Sequence, residues 1–558
     1  MAVQHAGQVQ ELPPKYYLDN FRSLLTFVQE KYQPVMGFAE LAFINAFNSL
    51  SEDAQCLYLR FANRKGTFFR PTKLSYAEIG CLNTSLEELL NRGFCRSIQA
   101  NHLHLLPELI YVLNKAELSK INKQFSPGVK GISKLKKDEL AEAMLRELPE
   151  SDLLQGILAL DDFVFQYYTD EYEMLKFLFF GHLDGQMSDF VVRDLGLVRF
   201  EQPQEDKLVA KFNNWQEAQD QFWVSSMYKK FRHLREAASS EHLYSWFMQI
   251  ASRGKQLYTP ARQTYDRLTR KLGRMLERQQ QPDFALEVYR FTITPPSRER
   301  QARILQKRGE TQQAVSLCRE ILNAPESSEE AIFAQDFLLK QEDKKATRST
   351  TRWLKDSDTI TISEEYKYYV EKGVLRYYAD KGYNAMYSEN YLFRSLFGLV
   401  FWDIIFDQDA QVYHSPLQRF PSDLYLPQFL LKRQDKMQLR LKELGNRRKL
   451  KKHITAFYDE KWGLGNPLVG WHENTLPLVS AACKSIPLEG LYATLMEMAK
   501  NLKEYGRGFP DIFIWKKNTY KLIEVKSPTD ALSPQQLYWL QFFKSNGVDA
   551  EVQRVQWK

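Results

Sequence analysis

Cysteine is scarce in this chain, and what there is stands dispersed. Cys56, Cys81, Cys95, Cys318 and Cys483 form no Cys-x-x-Cys pair. That spacing excludes a zinc finger and a disulfide framework, fits a reducing compartment, and leaves the five as small core residues. Long apolar runs are missing too: no stretch of about 20 uncharged apolar residues occurs, and no charged-then-apolar leader opens the sequence. The expectation is an intracellular protein with no membrane span. Net charge is small, +7 over 558 residues, yet unevenly spread. Lys432 to Lys452 carries ten Lys/Arg against two acids, and the remainder is nearly neutral. A local field of that kind is what phosphate binding by charge neutralisation uses, although a solvated basic helix has the same composition.

What the chain does have is concentrated near its C-terminus. Gly508-Phe509-Pro510-Asp511-Ile512-Phe513-Ile514-Trp515 and Tyr520-Lys521-Leu522-Ile523-Glu524-Val525-Lys526 are rich in aromatic and β-branched residues. They flank the polar turn Lys516-Lys517-Asn518-Thr519, which predicts a β-hairpin. With those four residues as the loop, Trp515 pairs with Tyr520, Ile514 with Lys521, Phe513 with Leu522, Ile512 with Ile523 and Asp511 with Glu524. Opposed carboxylates repel unless something neutralises them, and a divalent cation does so. Alternation along the strand puts Lys526 on the face of Glu524.

Each residue type suits phosphodiester hydrolysis. Hard carboxylate oxygens hold Mg²⁺ or Mn²⁺, the ion polarises a phosphoryl oxygen and lowers the pKa of bound water, and a lysine beside that water orients or deprotonates it. The backbone carbonyl of Val525 is a further candidate oxygen ligand. The plainer alternative is a buried hairpin with Asp511 and Glu524 at exposed ends and Lys526 paired to one of them.

Pro510-Asp511, Glu524-Val525-Lys526 and Gln536-Leu537-Tyr538-Trp539 resemble the PD-(D/E)xK nucleases of the VRR-NUC class. In that class the Gln-x-x-Trp helix packs behind the metal site. Here Ser533 can cap that helix, Pro534 suits its first turn, Gly547 can end it, and Val548 to Val555 makes a last strand. Upstream, Tyr387-Ser388-Glu389 is read as opening a long helix through Phe406, with Glu389, Leu392, Leu396 and Leu399 near one face. A carboxylate on that face is costly unless paired or metal-bound, while a solvated acid in a first helical turn is ordinary. The segment resembles the Fanconi-associated nucleases, whose glutamate metal ligand precedes a stretch like Leu399-Val400-Phe401-Trp402-Asp403-Ile404-Ile405-Phe406.

The rest of the chain has that family's order of modules. Residues 1–50 read as a tail to Glu11 and a helical unit, and 51–150 as winged-helix and SAP-like DNA-binding units. The helices expected there open at Ser51, Ser75 to Ile79 and Ser85 to Leu90, followed by a strand pair over Phe94 to Leu106. Arg64, Lys65, Arg70 and Lys73 are candidate phosphate contacts in the first unit. In the second, a Pro127-Gly128 and Gly131 break separates helices, and Lys134, Lys136 and Lys137 open the latter one. Residues 151–250 read as an almost wholly helical extension whose aromatics are core, and 251–345 as TPR-like repeats. There Ala285-Leu286-Glu287-Val288-Tyr289 is echoed by Ala314-Val315-Ser316-Leu317-Cys318 at an offset of 29 residues. Such repeats can bind a protein partner or space the modules. A linker over 346–360 then leads to a nuclease domain over 361–558. The expected fold class is mainly α and multidomain, with a C-terminal α/β nuclease domain.

The resemblance implies a structure-selective DNA nuclease, a 5′-flap endonuclease with 5′-to-3′ exonuclease activity acting in interstrand cross-link repair on branched DNA. It implies Asp511, Glu524, Glu389 and the Val525 carbonyl as ligands of Mg²⁺ or Mn²⁺, and Lys526 and Gln536 as catalytic residues. Arg447, Arg448, Lys449, Lys451 and Lys452 join the candidate DNA contacts. The ubiquitin-binding finger of vertebrate members is absent, so the chain resembles a bacterial member of the cytoplasm or nucleoid (the nucleus, were it eukaryotic). A junction resolvase of the same class and a non-enzymatic branched-DNA scaffold are the alternatives.

Overall fold

A computed structural model describes residues 12–125, 128–517 and 519–558. The expected tail to Glu11, Pro127 of the helix break and Asn518 of the hairpin turn lie outside the described residues. The chain divides into two compact units, Met1–Leu197 with Ala210–Ala218, and Val198–Val209 with Gln219–Lys558. No helix among the described residues is long and apolar enough to cross a membrane.

The first unit is helical around a small antiparallel sheet. Tyr16–Tyr32 and Phe38–Asn48 are the expected opening helices, and Glu52–Ala62 starts behind Ser51, whose Oγ accepts from Ala54 N at 3.3 Å. No helix forms over Ser75 to Ile79, and the next one is Leu82–Asn91. The expected strand pair over Phe94 to Leu106 is also corrected. Only β2 (Cys95–Ser97) forms there, and it pairs with β3 (Val164–Gln166), which also pairs with β1 (Phe68–Phe69). The wing is completed by a segment some seventy positions downstream, inside a region read as almost wholly helical, because pairing partners that distant leave no local periodicity. The SAP-like helices are Lys115–Asn122 and Lys137–Glu147. Phe163, Phe177 and Phe179 are core, as their clustering suggests.

The second unit joins the repeats to the nuclease sheet. Helices Ala261–Arg278, Pro282–Tyr289, Ser297–Lys307, Thr311–Asn323 and Ser328–Glu342 follow one another, and Ala285 and Ala314 of the echoed motif are both fully buried. Gly273 permits the first pair to close, since a Cβ there would lie 2.5 Å from the Tyr289 ring. The last repeat helix meets the nuclease domain directly: Glu504 Oε1 accepts from Ser328 N at 2.9 Å, and Arg507 pairs with Glu329 at 3.0 Å. The expected linker is short, because Ser349–Lys355 is helical and β4 (Thr359–Ile362) already belongs to the sheet.

That sheet has the order β4, β8 (Ala550–Trp557), β7 (Thr519–Lys526), β6 (Ile512–Lys516), β5 (Asn384–Tyr387). The β4–β8 and β8–β7 pairings are parallel, and β7–β6 and β6–β5 antiparallel. The hairpin register is the expected one, with Ile512 opposite Ile523 and Trp515 opposite Tyr520. The loop is tighter than expected, since Lys516 pairs with Thr519 and Lys517 takes a left-handed φ of 49°. Buried Ile512, Ile514, Ile523 and Val525 pack one face against Val374 and Tyr378 of the helix Val370–Asp380.

Candidate active site

The candidate metal-binding set assembles where β5, β6 and β7 begin and end together. Asp511 stands just before β6, and its Oδ2 accepts from Val525 N at 2.8 Å. The carboxylate therefore clips onto the neighbouring strand between Glu524 and Lys526. Glu524 is buried, with its side chain 1% exposed, and Lys526 Nζ lies 2.9 Å from its Oε1. Gln536 ties the two: its Oε1 accepts from Lys526 Nζ at 3.1 Å and its Nε2 donates to Glu524 Oε1. The same amide oxygen accepts from Ser533 N at 2.9 Å, the return bond of a capping box that starts the helix Pro534–Ser545. Helix initiation thus fixes the residue that fixes the lysine. Behind it Trp539 is buried, and its Nε1 donates to Arg507 O at 2.9 Å.

Glu389 arrives by a different route from the one expected. It is not in a helix: β5 ends at Tyr387, and the helix begins only at Leu392 and stops at Val400, with a separate short turn over Trp402–Ile405. Strand pairing brings it in, because Tyr387 opposite Ile512 places the next two residues beside Asp511. Ser388 N and Glu389 N both donate to Asp511 O, at 2.7 and 3.2 Å. Leu392, Leu396 and Leu399 do form the buried stripe that was read. Glu389 precedes it because the edge strand claims Asn384–Tyr387 for the sheet.

The electrostatics of this corner are out of balance. Burial lifts the Asp511 carboxyl to about 7, helped by the nearby negative charge of Glu389. Burial lifts Glu524 to about 8, with Asp511 adding to the rise against the pull of Lys526. One ammonium does not offset three carboxylates. Glu524 Oε2 is buried and has no hydrogen-bond partner.

A hard divalent cation fits this donor set: it takes carboxylate oxygens, reverses the mutual repulsion and satisfies the orphaned oxygen. The cage is not preformed, since no close group of three or more acidic, His or Cys side chains stands ready among the described residues. Each carboxylate instead rests on a protein donor, Asp511 on Val525 N–H, Glu524 on Gln536 and Lys526, and Glu389 on the Tyr387 hydroxyl.

Two residues here escaped the sequence reading. Tyr387 holds Glu389 through its hydroxyl, and Glu371, on the helix Val370–Asp380, adds to the field that raises Asp511. The Tyr-x-Glu spacing of one strand face is the only local signal for the first. For the second there is none.

The candidate DNA contacts divide. Arg64 and Lys65 are exposed, and Lys73 is exposed while pairing with Glu117 at 3.1 Å. Arg70 is corrected as a free phosphate contact: it is buried, bonded to Glu117 and Asp161 at 2.7 Å each, and holds the unit together. Lys134 and Lys136 are exposed, and Lys137 Nζ donates to Tyr111 O at 2.6 Å.

The basic run of 432–452 is two helices, Gln428–Glu443 and Arg447–Glu460. Arg433, Lys436 and Arg440 serve the fold through Asp423, Asp407 and Asp403. Arg447, Arg448, Lys449, Lys451 and Lys452 are exposed, and Arg447 donates to Cys483 O. A second concentration of charge was not legible in sequence. Exposed Lys503 feels the charges of Arg270, Arg267 and Arg507, and partial desolvation with those neighbours holds its ammonium below the usual lysine range.

The VRR-NUC domain family matches residues 446–557, which contain Asp511, Glu524, Lys526 and Gln536, so the protein is a DNA-cleaving hydrolase of that class. The FAN1, HTH domain family matches residues 15–96. The Fanconi-associated nuclease 1 homolog of Pseudomonas aeruginosa is 28% identical over 98% of this chain and 96% of its own length. The Arabidopsis thaliana homolog is 25% identical over 99% of this chain and 68% of its own. A crystal structure of paFAN1 bound to 2-nucleotide 5′-flap DNA with a gap superposes with a TM-score of 0.81 at 27% identity, covering 98% of this chain and 99% of that one. Over nearly its whole length the chain is similar to the Fanconi-associated nucleases.

Proposed function

We propose that this nuclease is a structure-selective, divalent-metal-dependent enzyme that cuts branched DNA at a 5′ flap, trims 5′ to 3′, and serves interstrand cross-link repair inside the cell. The observation that carries the reading is the buried Glu524–Lys526 pair, tied by Gln536 and facing Asp511, with Glu524 Oε2 lacking a partner. Likeness across nearly the whole chain to a protein crystallised on 5′-flap DNA supports the choice of substrate.

Asp511, Glu524, Glu389 and the Val525 carbonyl would hold Mg²⁺ or Mn²⁺, which supplies neutralisation of the carboxylates and polarisation of the scissile phosphoryl group. Lys526 donates a proton-bearing edge to a phosphate oxygen or to the attacking water. Gln536 Oε1 accepts a hydrogen bond from another of its N–H groups and fixes its direction. As an ammonium, Lys526 orients and stabilises charge rather than accepting a proton. Exposed Arg448, Lys449, Lys451 and Lys452, together with the Lys503 cluster, engage the backbone of the arms.

The test uses labelled 5′-flap, four-way junction and duplex DNA, each with Mn²⁺ or with EDTA. The reading predicts cleavage near the flap base with Mn²⁺ and none with EDTA. Preferential cutting of the four-way junction would favour a resolvase. Binding without any metal-dependent cut would overturn the reading.

A further inference from the structure

Phe38 and Tyr258 are exposed singly, whereas beside the carboxylates aromatic rings form a series. Tyr387 and Tyr391, 41% and 48% exposed, flank Glu389 with ring centroids 6.2 Å apart. The Tyr391 ring lies over Gly470, where a Cβ would come within 3.1 Å of it, so a side chain there would push the ring outward. The next residue, Trp471, has its ring centroid 5.4 Å from that of Trp462, which is 47% exposed. The rings thus run from the catalytic corner toward the end of the helix Arg447–Glu460.

The ledge is stiff from below. Trp471 packs on buried Trp402 at 5.9 Å and donates from Nε1 to Leu464 O at 2.6 Å. Tyr458 backs Trp462 at 5.1 Å. Tyr391 N donates to Ser388 O at 3.1 Å, in the turn that also hangs Glu389 on Asp511. Exposed faces held rigidly cost little entropy to use, and every nucleobase offers a π-face to such a surface whatever the sequence. Charge supports the same occupant, since the helix that ends before Trp462 begins with exposed Arg448, Lys449, Lys451 and Lys452. Phosphates would be met at one end of the helix and bases at the other.

The geometry points to Tyr391, with Trp462 beyond it, as a stacking ledge for the unpaired nucleobases of a branched DNA where they leave the duplex beside Asp511 and Glu389. This deepens the flap reading and rests on it. The metal-ligand set cuts a backbone without reading pairing. The ledge adds a preference for a site with a free base.

The test places 2-aminopurine at the first unpaired position of a 5′ flap and follows its fluorescence with the full chain in EDTA, where no cutting occurs. Wild type and Tyr391→Phe should quench it, and Tyr391→Leu should not. Tyr391→Leu should weaken flap binding by about 5- to 150-fold. That loss should vanish when the first unpaired position is abasic, because the phosphate remains and the base does not. Trp462→Leu should relieve quenching of a probe placed farther along the flap. Equal quenching by Tyr391→Leu, or an equal loss on the abasic flap, would overturn the assignment. Whether wild type cuts the unmodified flap with Mn²⁺ is read separately, so failure of the flap reading is told apart from failure of the ledge.

Discussion

Asp511→Asn is expected to lower cleavage of flap DNA by about 10³-fold or more. A bound divalent ion supplies several kcal/mol of charge stabilisation at the transition state, and each factor of ten in rate corresponds to about 1.4 kcal/mol. Asparagine keeps the shape of the side chain and an oxygen for Val525 N–H, so the hairpin survives. DNA binding in EDTA should be retained, because the exposed cations proposed to meet the backbone lie on other elements. Single-turnover cleavage with Mn²⁺, run beside binding in EDTA, checks both halves. A variant that cuts within tenfold of wild type would remove Asp511 from the reaction.

The metal-free protein should lose stability as pH rises through neutrality, the reverse of what ion-paired carboxylates give. Folded Asp511 and Glu524 hold their protons to about 7 and about 8, against ordinary values of 3.8 and 4.5. Below about pH 4 the folded and unfolded chains both keep these protons and nothing is lost. Between there and pH 8 the unfolded chain has released them and the folded chain has not, so rising pH favours unfolding. The total is several kcal/mol in order of magnitude.

A divalent ion reverses this, since its ligands must be deprotonated and its affinity therefore grows with pH. At about 100 times its Kd it adds roughly 2.7 kcal/mol. Thermal melts at pH 6, 7 and 8, with EDTA or Mn²⁺, should show an Mn²⁺-dependent rise in Tm that is largest at pH 8. Asp511→Asn isolates the effect from other titrating groups. It should melt above wild type at pH 8 in EDTA and gain little from Mn²⁺. A rise of equal size at pH 6 and 8, or one that persists in Asp511→Asn, contradicts the charge imbalance.

The hairpin was legible because its information is local. Alternating apolar residues and a polar turn set the register of Ile512 against Ile523, and that register delivers Asp511 to Val525. The capping box at Ser533 was equally local, and it carries Gln536 to Lys526. Glu389 was singled out on helical spacing together with the family resemblance, and the structure changes the first of these. Helical spacing suggested a helix start, whereas an edge strand pairing with β6 brings the carboxylate in.

The wing failed for the same physical cause. Its central strand, Val164–Gln166, is three residues long and gains its conformation from partners far away in sequence. Charge counting marked 432–452 correctly as basic, but it could not tell Arg433, spent on Asp423, from Lys449, which faces solvent. The Lys503 cluster draws on the repeat helix Ala261–Arg278 and on the approach to β6, segments more than 200 residues apart.

The central claim is that Asp511, Glu524 and Glu389 gather around one or more divalent ions that ready a phosphodiester for hydrolysis. Anomalous scattering at the manganese edge, from a crystal grown with flap DNA and soaked in Mn²⁺, tests it most directly. The account predicts a peak within carboxylate bonding distance of Asp511 and Glu524, with Glu389 turned away from the Tyr387 hydroxyl toward the ion. Density that leaves Glu389 on Tyr387 and Glu524 on Gln536, with manganese scattering elsewhere, would contradict it.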